Sequence, residues 1–116
     1  MGQAEIEDPK LAEIVRRLVE AYRPDRVYLF GSCARGEVTR DSDYDLMVVV
    51  PDSAPHERRG SRLAYQVLWG MGTAADILVW TREAFDRRLH LKASLPATVV
   101  REGRLVILKG RLMPMG

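Results

Sequence analysis

Two aspartates one residue apart, Asp43 and Asp45, stand at the head of the apolar run Leu46 to Val50. Positions i and i+2 of a strand point to the same face, so a strand here would present two carboxylates side by side. On an apolar strand that pairing is costly unless a cation or a basic side chain lies between them. Hard divalent cations prefer carboxylate oxygens, and Mg²⁺ is commonly held by a few carboxylates together with substrate phosphates. Asp76 is the only charged residue between Thr73 and Trp80, in a segment otherwise built for burial. If its strand lies beside that of Asp45, three carboxylates converge. Such a cluster can hold two cations roughly 4 Å apart and stabilise the attacking and leaving oxygens of a phosphoryl or nucleotidyl transfer. Asp76 can then orient or deprotonate the attacking hydroxyl. Each residue taken singly has a plainer alternative: a polar turn at Asp41–Asp43 with Asp45 paired to an arginine, and a strand-end cap or salt bridge at Asp76.

Just before the paired aspartates the chain reads Phe30-Gly31-Ser32-Cys33-Ala34-Arg35-Gly36. A strand ends at Gly31-Ser32 and offers backbone N–H groups and a hydroxyl, while Gly31 and Gly36 permit positive φ and close approach of a ligand. Exposed amides at such a turn make an anion site. No Gly-Lys-Ser/Thr follows, so this is not a Walker A loop, and the glycine spacing does not fit the dinucleotide fingerprint. By itself the segment also suits an ordinary strand-to-helix turn.

These residues need a scaffold. Asp8-Pro9 reads as a helix N-cap with proline in the first turn, and Leu11, Ile14, Val15, Leu18, Val19 and Tyr22 recur at helical spacing up to Pro24. Val27 to Phe30 is a short strand, and Tyr44 to Val50 a second, apolar enough beyond Asp45 to be buried on both faces. Pro55 to Gly72 reads as helix with Gly70 and Gly72 as its stop. Ala75 to Trp80 is a third strand, Thr81 caps a helix carrying Phe85 and Leu89, Pro96 to Glu102 is a shorter helix closed by Gly103, and Leu105 to Leu108 is a last strand. Strands alternating with helices predict an α/β or α+β layer, a small sheet with helices on it.

Composition sets outer bounds. The chain has 116 residues, 47% hydrophobic and 29% charged, and a single cysteine, Cys33, which fits one ordinary globular domain and excludes disulfide scaffolds. We place the domain at residues 1–110 and a loose tail at 111–116. No apolar run approaches the roughly 20 residues that span a membrane, and the acidic N-terminus is unlike a secretory signal, so a cytoplasmic setting is expected. Eighteen basic residues against 16 acidic leave a net charge of +2, without the one-signed stripe that nucleic-acid binding requires. One local concentration exists, Arg58, Arg59 and Arg62, followed later by Arg87 and Arg88. Arg58 and Arg62, at helical spacing, form either a solvated face or a phosphate- or partner-binding patch.

With these residues in view, the sequence resembles the minimal nucleotidyltransferases of the DNA polymerase-beta superfamily. Gly31, Ser32, Ala34, Arg35 and Gly36 match the first block of that family's pattern; Ser42, Asp43, Asp45 and Leu46 match the second; Asp76 stands where a third carboxylate is expected. The detailed match covers about a fifth of the chain. The resemblance implies a small mixed sheet flanked by helices, with an NTP and Mg²⁺ at the Gly31-Ser32 turn and two metals at Asp43, Asp45 and Asp76, the last being the base. It implies transfer of a nucleoside monophosphate, AMP from ATP in the first instance, to a hydroxyl with release of pyrophosphate. Arg35 either contacts phosphate or braces the loop against an acid. Cys33 falls at a variable position, and His56 and His90 match nothing in the pattern and are read as structural.

Small members of that family are often encoded with a helical HEPN-domain partner and act as antitoxin by adding AMP to a tyrosine of the toxin. A chain with no separate acceptor-binding domain suits such a partner, and homo- or hetero-oligomers are both open. The rival readings are a non-catalytic module that neutralises a partner by sequestration, and a small-molecule nucleotidyltransferase acting on an antibiotic such as an aminoglycoside.

Overall fold

The computed structural model describes residues 8–31, 44–72 and 75–113. A five-stranded mixed sheet in the order β3-β2-β1-β4-β5 forms the middle layer. Its strands are β1 (Arg26–Phe30), β2 (Tyr44–Val50), β3 (Ala75–Thr81), β4 (Arg104–Leu108) and β5 (Arg111–Leu112). β1 is antiparallel to both β2 and β4, β4 is antiparallel to β5, and β2 and β3 run parallel. The α+β layer architecture expected from the alternation of elements is therefore present.

Helix α1 (Pro9–Tyr22) starts where Asp8 Oδ1 accepts from the amides of Lys10 and Leu11, with Pro9 in its first turn. It ends at Arg23, which takes the left-handed conformation (φ 49°) ahead of Pro24. Leu11, Ile14, Val15, Leu18 and Tyr22 bury its inner face against Val27 and Leu29 of β1, Leu46, Val48 and Val50 of β2, and Ile77 of β3. Helix α2 (Arg62–Val67) adds the buried Ala64 to that core. The opposite face of the sheet carries α3 (Arg82–Arg87) and α4 (Leu95–Glu102), whose Phe85 and Val99 pack on Tyr28, Met47 and Val49. Alternate residues of β2 thus feed two cores. That accounts for the near-continuous apolar run of this strand.

Two local features differ from the sequence reading, at the helix expected from Pro55 to Gly72 and in the C-terminal tail. The stretch expected to form one helix from Pro55 is a 3₁₀ turn (His56–Arg58) followed, after a break, by α2. Arg59 holds the break by donating to the carbonyls of Ala54 (2.8 Å) and Asp52 (2.9 Å). Tyr22 Oη spans it, accepting from the Ala64 amide and donating to the Gly60 carbonyl; burial pushes this phenol's pKa up. Arg58 and Arg62 therefore belong to different elements and do not share a helical face. Gly103 closes α4, as expected, in an extended conformation. Its lack of a side chain matters because a Cβ there would press on the carbonyls of Val99 and Leu29. Arg111 and Leu112, placed in the loose tail, pair with β4 across Lys109-Gly110, both at positive φ, the geometry of a two-residue hairpin turn. Among the described residues no helix is long and apolar enough to cross a membrane.

Candidate active site

The parallel pair β2–β3 sets Asp45 directly beside Asp76 in register, and the antiparallel pair β1–β2 sets Asp45 beside Phe30. Adjacent strands lie about 4.8 Å apart, and residues paired in register project to the same face. The two carboxylates therefore flank each other at one end of the sheet, on the face that carries α3 and α4. Asp76 is exposed and Asp45 half-buried. At this spacing and an effective dielectric of 20, two carboxylates repel by roughly 3 kcal/mol, a cost that a shared cation removes.

Gly31 leaves β1 at this same end. Its φ of +75° is a left-handed conformation, and a Cβ at this position would run into Oδ2 of Asp45. Only glycine meets both demands. The Asp45 carboxylate thus rests over the backbone of the turn where the chain leaves β1, and the glycine turn and the carboxylate pair form one site. The donor set is carboxylate oxygen, which suits Mg²⁺ better than a soft metal. Among the described residues no cluster of three or more metal-ligating side chains is assembled. Asp43, Ser32 and Arg35, expected to complete the metal and phosphate sites, lie outside the described residues, as does Cys33.

A tie on the far face of the sheet bears on this site and was not foreseen. Tyr44, the first residue of β2, points away from Asp45 into the α1 core and is 7% exposed. Its hydroxyl donates to Asp8 Oδ2 at 2.5 Å, while Asp8 Oδ1 caps α1. One carboxylate thus joins the start of α1 to the residue next to Asp45. The two residues are 36 positions apart, and only the choice of tyrosine over an aliphatic at a buried strand position hinted at a hydroxyl partner.

Arg87 and Arg88, also singled out by the sequence, make structural contacts. Arg87 pairs with Glu83 at 3.4 Å, and Arg88 lies over the Trp80 ring, 5.3 Å from its centroid. Arg26 makes a two-pronged ion pair with Asp86 (3.0 and 3.1 Å) that fastens α3 to β1 and raises the guanidinium pKa further. His56 and His90 are exposed.

Comparison with known proteins bears on the family and the fold. The family model for the nucleotidyltransferase domain matches residues 9–106, a span that includes the glycine turn and all three aspartates. A putative protein adenylyltransferase of Methanocaldococcus jannaschii is 28% identical over 102 residues, covering 86% of this chain and 97% of that protein. Among solved structures, a putative nucleotidyltransferase from Sulfolobus solfataricus superposes with a TM-score of 0.60 at 21% identity, covering 92% of this chain and 86% of that one. A crystal structure of a toxin-antitoxin with AMP-PNP superposes with a TM-score of 0.53, also at 21% identity, covering 83% of this chain and 72% of that one. At such identities the two structures speak for the fold.

Proposed function

This chain belongs to the nucleotidyltransferase domain family, and from that premise we propose that it transfers AMP from ATP to a hydroxyl, a tyrosine of a helical HEPN-type partner protein, and so acts as the antitoxin of the pair. The observation that carries the reading is the interlock of Gly31 with Asp45 beside Asp76. A glycine turn next to paired carboxylates supports binding of a nucleotide triphosphate with its cations.

In this mechanism the backbone amides after Gly31, with the Ser32 hydroxyl, hold the triphosphate, and Arg35 contacts phosphate or braces the loop. Asp43, Asp45 and Asp76 would hold Mg²⁺, in a two-metal arrangement, and bound Mg²⁺ would supply charge neutralisation at the phosphates. Asp76 lies on the outer strand, farther from β1 than Asp45, and is exposed; there it orients the acceptor hydroxyl and takes its proton. The acceptor oxygen forms a bond to the α-phosphorus, the bond from that phosphorus to the bridging oxygen breaks, and pyrophosphate leaves.

Protein as acceptor is supported by the named activity of the M. jannaschii relative and by the toxin-antitoxin likeness. The test is the intact mass of the partner after incubation with this chain, ATP and Mg²⁺. A gain of AMP with the wild-type chain, and none with Asp45→Asn, is expected. Full neutralisation of the partner by Asp45→Asn with no mass gain under any metal would establish sequestration instead.

A further inference from the structure

Among the described residues the most exposed aromatic surface lies on α2 and the turn that follows it. Trp69 is 87% exposed and Tyr65 52%, and together with Arg62 and Gln66 they line one shallow depression. Arg62, Tyr65 and Trp69 follow one another at spacings of three and four, so they stand on one stripe, while Ala64, Leu63 and Leu68 of the same segment turn into the core. A tryptophan left this bare buys nothing for the fold; large apolar surface kept exposed marks an interaction site. Trp, Tyr and Arg are also the residues that anchor protein interfaces.

The patch lies close to the proposed site along the chain. Trp69 precedes Asp76 by seven residues, at most about 25 Å of fully extended chain. A partner footprint of standard size, about 800 Å² on each side, is roughly 30 Å across. Because α2 packs on the sheet face opposite the Asp45 and Asp76 side chains, a partner of that footprint seated on Trp69 reaches the carboxylates around the edge strand β3. We infer that the Arg62–Tyr65–Trp69 patch is the docking surface of the protein acceptor, which meets it with an apolar pocket rimmed by carboxylates. This rests on the reading of the acceptor as a protein.

Charge selects that occupant. Arg62 has no ion pair with any described residue, and the exposed Arg59 beside it makes its bonds to backbone carbonyls; the two share a neighbouring depression with Glu57. With two arginines against one glutamate, this surface is net positive among the described residues. A two-fold contact between copies would set Arg62 against its own equivalent, because such an interface brings the same patch to both sides. Single-stranded nucleic acid stacks on aromatic rings but needs a positive groove that follows its phosphates, and two arginines with a glutamate beside them do not make one.

The experiment uses the full chain labelled with 5-fluorotryptophan, titrated with the HEPN-domain proteins encoded in the same genome, each purified singly. In ¹⁹F spectra the Trp69 resonance shifts on binding while that of Trp80, packed against the α3 core, stays. By calorimetry, Trp69→Ala and Arg62→Glu each weaken binding, Trp69→Ala by about 30-fold, with Mg·ATP binding and thermal stability unchanged. Unaltered affinity of Trp69→Ala for a partner that still gains AMP overturns the docking surface and leaves the adenylyl transfer standing. Trp69-dependent binding of a partner that never gains AMP keeps the surface and removes the transfer. A Trp69 shift that appears with chain concentration alone, or with a single-stranded RNA 20-mer and no HEPN protein (roughly the length several stacking sites require), overturns the proposal, as does the failure of every HEPN protein to bind.

Discussion

Gly31 carries two demands at once, a left-handed backbone and room for the Asp45 carboxylate. Alanine there pays roughly 1–2 kcal/mol for its conformation and displaces that carboxylate. Gly31→Ala is therefore expected to lower kcat for AMP transfer by about 100-fold or more while the fold persists with a modest loss of Tm; calorimetry and pyrophosphate release measure the two separately. Asp76→Asn, at an exposed position, is expected to leave Tm and ATP binding near wild type and to cut turnover by about 10²–10⁴-fold, the range for loss of a positioned base. A large fall in ATP affinity with kcat preserved would move Asp76 from the acceptor to the nucleotide.

At the scale of elements, the site depends on a strand end held from behind. The Tyr44 hydroxyl on Asp8 fixes the first residue of β2 to the start of α1, and a hydrogen bond to a charged group contributes about 1.5–3 kcal/mol. Tyr44→Phe keeps the ring in the core, so a stability loss of about 1–2 kcal/mol in urea unfolding is expected, together with weaker Mn²⁺ binding in the presence of a non-hydrolysable ATP analogue. Loss of stability with unchanged metal binding would confine the tie to folding. On the outer face of α1, hydrogen bonds from Arg16, and next from Arg17, hold the Glu13 carboxyl down to about 2 from an ordinary 4.5. A carboxyl depressed by folding contributes stability that is full above 4.5 and is lost as pH falls toward 2. Glu13→Gln should flatten that part of the acid limb of Tm against pH, by a small amount, since the pair is exposed.

Much of this layer was legible in advance, for identifiable reasons. Asp8-Pro9, Thr81 and the apolar β2 run are local signals, and each reappears as a cap or a strand. The 3₁₀ break at residues 59–61 was not legible, because it is held by Tyr22 from α1 and by Arg59 reaching back to two carbonyls. The last hairpin turns on Lys-Gly, where the usual signal is Asn-Gly or Asp-Gly. In the site, the i, i+2 spacing pointed to Asp45 and its face, but the register of Asp45 with Asp76 is a property of the sheet. The exposure of Trp69 was not legible, because it stands among Leu68 and Met71 and a sequence pattern does not say which of several adjacent apolar residues is left out.

For the molecule as a whole, two helical layers on a five-stranded sheet account for the described residues. The chain is a nucleotidyltransferase by family, and the proposed acceptor is a hydroxyl of another protein. Its bare aromatic stripe near the carboxylate end of the sheet offers a place for that molecule to sit. The most direct measurement is label transfer: the chain and its HEPN-type partner are incubated with Mg²⁺ and ATP labelled either at the α- or at the γ-phosphate. Transfer of AMP predicts that α-label appears on a tyrosine of the partner, that γ-label never does, and that Asp45→Asn abolishes the signal. Partner labelled from the γ-position, or left unlabelled by both while still neutralised, would contradict it.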